Sequence, residues 1–155
     1  MTNLSKQQVL SKLQRYCAYQ ERCESEAQQK LKDLGIYGAL SDEIIEILKE
    51  ELFIDNHRYA LLFASNKFRL KKWGKIKIEK ALQQKKIKPI LIQEALAEID
   101  ETDYIQTINY LLDKKRTSLL HEKKEKPSYI IQQKLAAYLL QKGYEREKIW
   151  KCIKG

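Results

Sequence analysis

A chain of 155 residues with a formal net charge of +9 and only five glycines and two prolines is long enough to bury roughly 70% of its unfolded surface without disulfides. Its three cysteines, Cys17, Cys23 and Cys152, form no CxxC pair, which excludes a disulfide framework and leaves reduced thiols. No apolar run approaches the roughly 20 residues of a membrane span, and the N-terminus MTNLSKQQVL has no signal-peptide pattern, so a soluble cytoplasmic protein without membrane contact is expected.

Apolar residues recur at helical spacing almost throughout. Val9, Leu10, Leu13, Tyr16 and Cys17 predict a first helix over about residues 5–19. Ala27, Leu31 and Leu34 predict a second, stopped by Gly35 as a left-handed residue. Ser41 is the expected cap of a third, with Asp42 and Glu43 in its first turn and Ile44, Ile45, Leu48 and Leu52 as its buried stripe. Asp55 is the expected cap of a fourth, carrying Tyr59, Leu62, Phe63 and Asn66, and the pattern breaks at Trp73-Gly74. A fifth helix carries Ile78, Ala81 and Leu82. Pro89 suits the first turn of a sixth, with Ile92, Ala95, Leu96 and Ile99 inward.

Thr102 or Asp103 is expected to start a seventh helix through Tyr104, Ile105, Ile108, Leu111 and Leu112, with room to continue to Leu119 and Leu120. The charged stretch HEKKEK, residues 121–126, reads as a loop or frayed end. Pro127 opens an eighth helix with Ile130, Ile131, Leu135, Tyr138 and Leu139, ended by Gly143, and a short ninth carries Ile149, Trp150 and Ile153. No segment alternates as a strand would.

The nine helices fall into three sets of three. LKDLGI (31–36), LQQKKI (82–87) and LLQKGY (139–144) hold the same place in each set, and Ile54-Asp55…Tyr59 echoes Ile99-Asp100…Tyr104. The prediction is an all-α fold of three tandem three-helix repeats, with boundaries at 1–52, 53–99 and 100–155. Such repeats touch mainly their neighbours, so the molecule should be elongated and free to curve. Chance similarity among amphipathic helices is the competing explanation.

Every strong catalytic pattern is missing. His57 and His121 stand alone, the cysteines offer no zinc spacing, and Gly74-Lys75 lacks the rest of a phosphate loop. No GxGxxG or GxSxG occurs, and the carboxylates fall on solvent faces. A non-enzymatic binding protein with no metal and no cofactor is expected.

The charge is uneven. Residues 67–88 hold ten cations, among them Lys67, Arg69, Lys71, Lys72 and Lys75, against Glu79 alone, with Trp73 in their midst. Cations on one surface favour a phosphate backbone by releasing its counterions, and an exposed Trp can stack on a partner. The alternatives are a solvated lysine face and a Trp73 that is core at the junction of helices four and five. A second basic set is Lys114, Lys115, Arg116, Lys123, Lys124 and Lys126, whereas the N-terminal third is near neutral or acidic, which favours an oriented interaction.

Arg22-Cys23-Glu24-Ser25-Glu26 with Lys30-Leu31…Leu34-Gly35, then Phe53-Ile54-Asp55-Asn56-His57-Arg58-Tyr59-Ala60, then Arg69…Gly74…Ile78…Leu82…Ile87 resemble successive motifs of the RecX family, regulators of the RecA recombinase. The sequence departs from that pattern at Cys23, where the family often has Arg, at Asn56, where Asp is usual, and at Lys86, where Gly is usual. The resemblance implies a modular three-helix-repeat fold and no catalytic residues. It also implies binding in the groove of a RecA–DNA filament, with suppression of its ATPase, strand-exchange and co-protease activities. DNA, single- or double-stranded, would be contacted weakly or through the filament. The candidate partner or DNA contacts are Arg58, Arg69, Lys71, Lys72 and Lys75. Arg58 is alternatively paired with a carboxylate. Asp55, Tyr59, Ala60 and Gly74 read as structural members of the motif. A helical DNA-binding protein or adaptor acting independently of RecA is the alternative.

Overall fold

The computed structural model describes residues 4–121 and 127–155; the lysines expected at 123, 124 and 126 lie outside them. Among the described residues there are nine α-helices and no strand. They are α1 (Lys6–Tyr19), α2 (Glu24–Asp33), α3 (Gly38–Glu50), α4 (Asn56–Lys71), α5 (Lys75–Gln84), α6 (Pro89–Ala97), α7 (Glu101–Leu120), α8 (Ser128–Lys142) and α9 (Arg146–Lys154). Helices α1–α3 pack on one another, as do α4–α6 and α7–α9, which makes three successive bundles. The accessible surface of 10108 Å² exceeds the about 8200 Å² of a compact monomer of this mass, as expected for bundles joined end to end.

Local chemistry sets most helix ends. Ser5 and Gln8 form a reciprocal capping box at the start of α1, at 3.2 and 2.8 Å. Asp55 caps α4 by accepting the N–H of Arg58 at 3.0 Å, and Pro89 occupies the first turn of α6. Replacing Asp55 with alanine should cost about 1 kcal/mol, measurable as a lower urea midpoint with an unchanged slope.

Three expectations need correction. Ser41 is not a cap: α3 begins at Gly38, because Ile36 and Leu40 both pack into the first bundle and pull the first turn forward. Leu52 is not core. It is 66% exposed with φ of 62°, and that left-handed step swings Ile54 inward, where its N–H reaches Leu48 O. Finally, α7 starts at Glu101 rather than at Thr102 or Asp103, because Asp100 caps it by accepting the Asp103 N–H at 3.0 Å, the same arrangement as at Asp55. In α4 the buried face is Tyr59, Ala60, Ala64 and Phe68, while Leu62 is 44% exposed and Asn66 lies in solvent.

The repeated turn after the second helix of each bundle uses a left-handed residue every time: Gly35, Lys86 and Gly143, at φ of 77°, 60° and 96°. Lys86 carries a side chain where its counterparts have none, at a cost of about 1 kcal/mol.

The two joints between bundles differ. The first bundle has its own core, from Val9 to Leu48 and Ile54, while α4–α9 share a second, continuous core to which Cys23, at the start of α2, is the contribution from the first bundle. The first joint is therefore polar. Arg58 Nε donates to Glu21 at 2.7 Å and its other arm to Leu52 O at 3.1 Å; Ser25 Oγ donates to Lys85 O at 2.6 Å; Glu24 N–H donates to Asn56 at 2.9 Å.

The second joint is aromatic and backbone-to-backbone. Phe68, Tyr104 and Tyr144 pack in series with their rings tilted, centroids 5.7 and 5.1 Å apart. Gly74 N–H donates to Lys142 O at 2.8 Å and Ile76 N–H to Gly143 O at 3.0 Å. The left-handed residue at the break in the pattern is Lys72, at φ of 57°, so Gly74 is required not for its φ of −79° but for this close approach.

Candidate polyanion-binding face

The basic run 67–88 does not form one continuous patch. Helix α5 is about 15 Å long at 1.5 Å per residue and divides it. Lys85 lies at its far end beside the first bundle, where its ammonium meets Glu26 at 3.3 Å. At the near end Lys67, Lys72, Lys75 and Lys77 gather at the second joint and stand over aromatic rings.

Trp73 is half-buried, with Lys67 Nζ 4.9 Å and Lys77 Nζ 4.5 Å from its ring. It also packs on the second core, so it is both a junction residue and a partly open ring. Tyr110 on α7, half exposed, lies between Lys72 at 5.3 Å and Lys114 at 5.9 Å. Tyr138 on α8 lies between Lys115 at 5.1 Å and Lys142 at 5.9 Å. The backbone of Gly143 abuts Lys77, which brings the Trp73 and Tyr138 clusters side by side. Lysines held by ring faces are oriented while their ammonium groups stay hydrated, the arrangement that suits phosphate with an adjacent flat surface.

The candidate contacts divide accordingly. Lys72 belongs to the Tyr110 cluster. Lys75 places its ammonium 4.9 Å from the Tyr104 ring and its backbone N–H on the Tyr104 hydroxyl at 2.9 Å. Arg69 and Lys71 are exposed and form no ion pair among the described residues, but they line different grooves. Arg69 borders a groove shared with Glu98, Asp100 and Asp103, whereas Lys71 and Lys67 border one of about 380 Å³ with Leu62, Phe63 and Leu70. Arg58 stands apart, in the first joint with Glu21. Asp55 is a cap, Tyr59 and Ala60 are buried, and Gly74 is the second joint. Lys142, Tyr138 and Tyr110 were not singled out as contacts from sequence, because their partners lie in other helices far along the chain.

The thiols are poor nucleophiles. Burial pushes Cys17 up to about 11 and raises Cys23 and Cys152 as well. No group of three or more metal-ligating side chains occurs among the described residues, and no described helix is long and apolar enough to cross a membrane.

Fold and face together define a class: a tandem three-helix-repeat protein with lysines displayed on aromatic rings at a fused joint. The chain matches "RecX, second three-helix domain" over residues 55–96 and "RecX, third three-helix domain" over 101–153, more than half its length between them. It belongs to the RecX family.

Its relatives include the Regulatory protein RecX of Clostridium acetobutylicum, 31% identical over 135 residues, which are 86% of this chain and 61% of that one. The Regulatory protein RecX of Bacillus cytotoxicus is 27% identical over 139 residues, 89% of this chain and 50% of that one. The chain thus spans between about half and three fifths of the length of these relatives. The fold is also that of the crystal structure of RecX from Lactobacillus salivarius, with a TM-score of 0.86 at 23% identity, covering 96% of this chain and 94% of that one.

Proposed function

We propose that this chain binds the nucleoprotein filament of a RecA-type recombinase and lowers its ATPase, recombinase and co-protease activity, acting as a non-enzymatic regulator of DNA repair in the cytoplasm. The observation that carries the reading is the set of oriented cations at the second joint, with Lys67, Lys77 and Lys142 presented from α4, α5 and α8 and Lys72 from the α4–α5 connection, around Trp73, Tyr110 and Tyr138. A filament groove offers acidic protein surface and DNA phosphate together, and an extended row of bundles can lie along it. Family membership supports the same reading.

A second reading, DNA binding independent of any recombinase, is favoured by the half-exposed Tyr110 ring among the lysines. Immobilised single-stranded DNA, bare or coated with the cognate recombinase, separates the two. Binding should be stronger on the coated strand. Replacing Lys72, Lys77 and Lys142 together by glutamine should weaken it about tenfold or more, with a shallower salt dependence. Equal binding to bare and coated strands would favour the second reading.

A further inference from the structure

The N-terminal third reads as near neutral or acidic from its sequence, but the fold gathers cations on one side of it. Lys12, Arg15, Tyr16 and Tyr19 stand three and four residues apart on one side of α1. Helix α2 brings Lys30 against them, and these five line a depression of about 340 Å³. Arg22, from the connection between the helices, lays its guanidinium 3.9 Å from the centre of the Tyr16 ring, and Lys30 Nζ approaches the same ring to 5.4 Å. Tyr19 is 83% exposed, with its ring open to solvent.

None of these four cations forms an ion pair among the described residues. The carboxylates nearest in sequence are held elsewhere: Glu21 by Arg58 at 2.7 Å, Glu24 by Lys49 at 2.8 Å, and Glu26 by Lys85 at 3.3 Å. Glu21 and Glu26 thus turn to the second bundle and Glu24 to α3, so Lys12, Arg15, Arg22 and Lys30 keep their charge without a carboxylate partner among the described residues.

We propose that this patch is a second anion-binding site, built from Lys12, Arg15, Arg22 and Lys30 around Tyr16 and Tyr19, that takes the phosphodiester backbone of a nucleic acid. Tyr16 holds the Arg22 fork in place, which lowers the entropy lost when it grips a phosphate. Tyr19 gives a base or sugar a surface beside the phosphates, a feature with no use for a carboxylate-rich peptide. The site lies on a different bundle from the lysines of the second joint, so one chain can hold one nucleic acid at two places, the second contact being made at high effective concentration. This site goes beyond the regulatory reading and does not depend on a recombinase being the partner.

The test is a salt titration of binding to a labelled oligothymidylate and to a labelled duplex, using the full chain. Both substituted residues of Lys12→Gln/Arg15→Gln are exposed, so the helical circular dichroism should be unchanged. Its log–log salt slope should fall by about 1.4 on the single strand and about 1.8 on the duplex, two phosphate contacts in each case. Lys12→Gln/Lys30→Gln, drawn from two helices, should do the same. The arm in which the fall reaches its own two-contact value, about 1.4 on the single strand or about 1.8 on the duplex, identifies the source of the phosphates. A slope like that of the unsubstituted chain in both variants would overturn the proposal, as would no binding of either probe by the unsubstituted chain. Loss of polyglutamate binding with the nucleic-acid slope intact would assign the patch to an acidic protein and overturn it equally.

Discussion

Gly74→Ala should destabilise the fused α4–α9 unit by about 3 kcal/mol or more while leaving the first bundle folded. An alanine Cβ at position 74 would stand 2.3 Å from the carbonyl carbon and oxygen of Gly143 and 2.4 Å from the N–H nitrogen of Tyr144. These are backbone atoms, which cannot rotate aside as a flexible side chain would. The strands of chain must separate, breaking the bonds from Gly74 N–H to Lys142 O and from Ile76 N–H to Gly143 O. Overpacking and the loss of those bonds together set the magnitude. Hydrogen exchange should locate the change, with amides of α5 and α8 losing protection and those of α1 and α3 unaffected, since the first bundle has its own core. An unfolding midpoint like that of the unsubstituted chain would show that the joint tolerates a methyl group and that the two bundles do not meet as described.

Tyr104 should be the most costly single side chain to truncate. It is fully buried and lies between Phe68 and Tyr144 in the aromatic series, so it belongs at once to the seam and to the third bundle. Tyr104→Ala should cost about 3–5 kcal/mol through the cavity it leaves. Tyr104→Phe isolates the hydroxyl, which accepts the Lys75 N–H at 2.9 Å and donates to Glu145. Burial and the bond to Glu145 both raise its pKa, so it stays protonated and keeps donating across the neutral range. Without it the Lys75 N–H and the Glu145 carboxylate lose their partner, at about 1–3 kcal/mol. Denaturant unfolding of the two variants should rank them in that order, and a phenylalanine variant as stable as the unsubstituted chain would remove the hydroxyl from the joint.

What could be read from sequence follows physical range. Helices and caps are local: Asp55, Pro89 and Gly143 act within one turn, and the apolar spacing shows the buried faces of α5, α6 and α7 directly. Leu52 and Ile54 exchange places relative to the apolar spacing, because spacing does not register the left-handed step at Leu52. The echo of Ile54-Asp55 in Ile99-Asp100 carries the cap of α7, which begins at Glu101 and not at the expected Thr102 or Asp103.

The candidate face was legible only in part, for the same reason. The basic run was plain, but its division by α5, the pairing of Lys85 with Glu26 and the arrival of Gly143 against Lys77 depend on residues far apart in the chain. Composition also concealed the cations of α1 and α2, because the net charge of a segment does not say which side of a helix its acids occupy.

The most direct measurement is DNA-dependent ATP hydrolysis by the cognate RecA-type recombinase, titrated with this protein on single-stranded DNA. Hydrolysis should fall in proportion to added protein and approach a low plateau near saturation of the filament. The variant lacking Lys72, Lys77 and Lys142 should need about tenfold more protein for the same effect. A hydrolysis rate that does not change at stoichiometric excess, with the protein folded and the filament formed, would contradict the regulatory role.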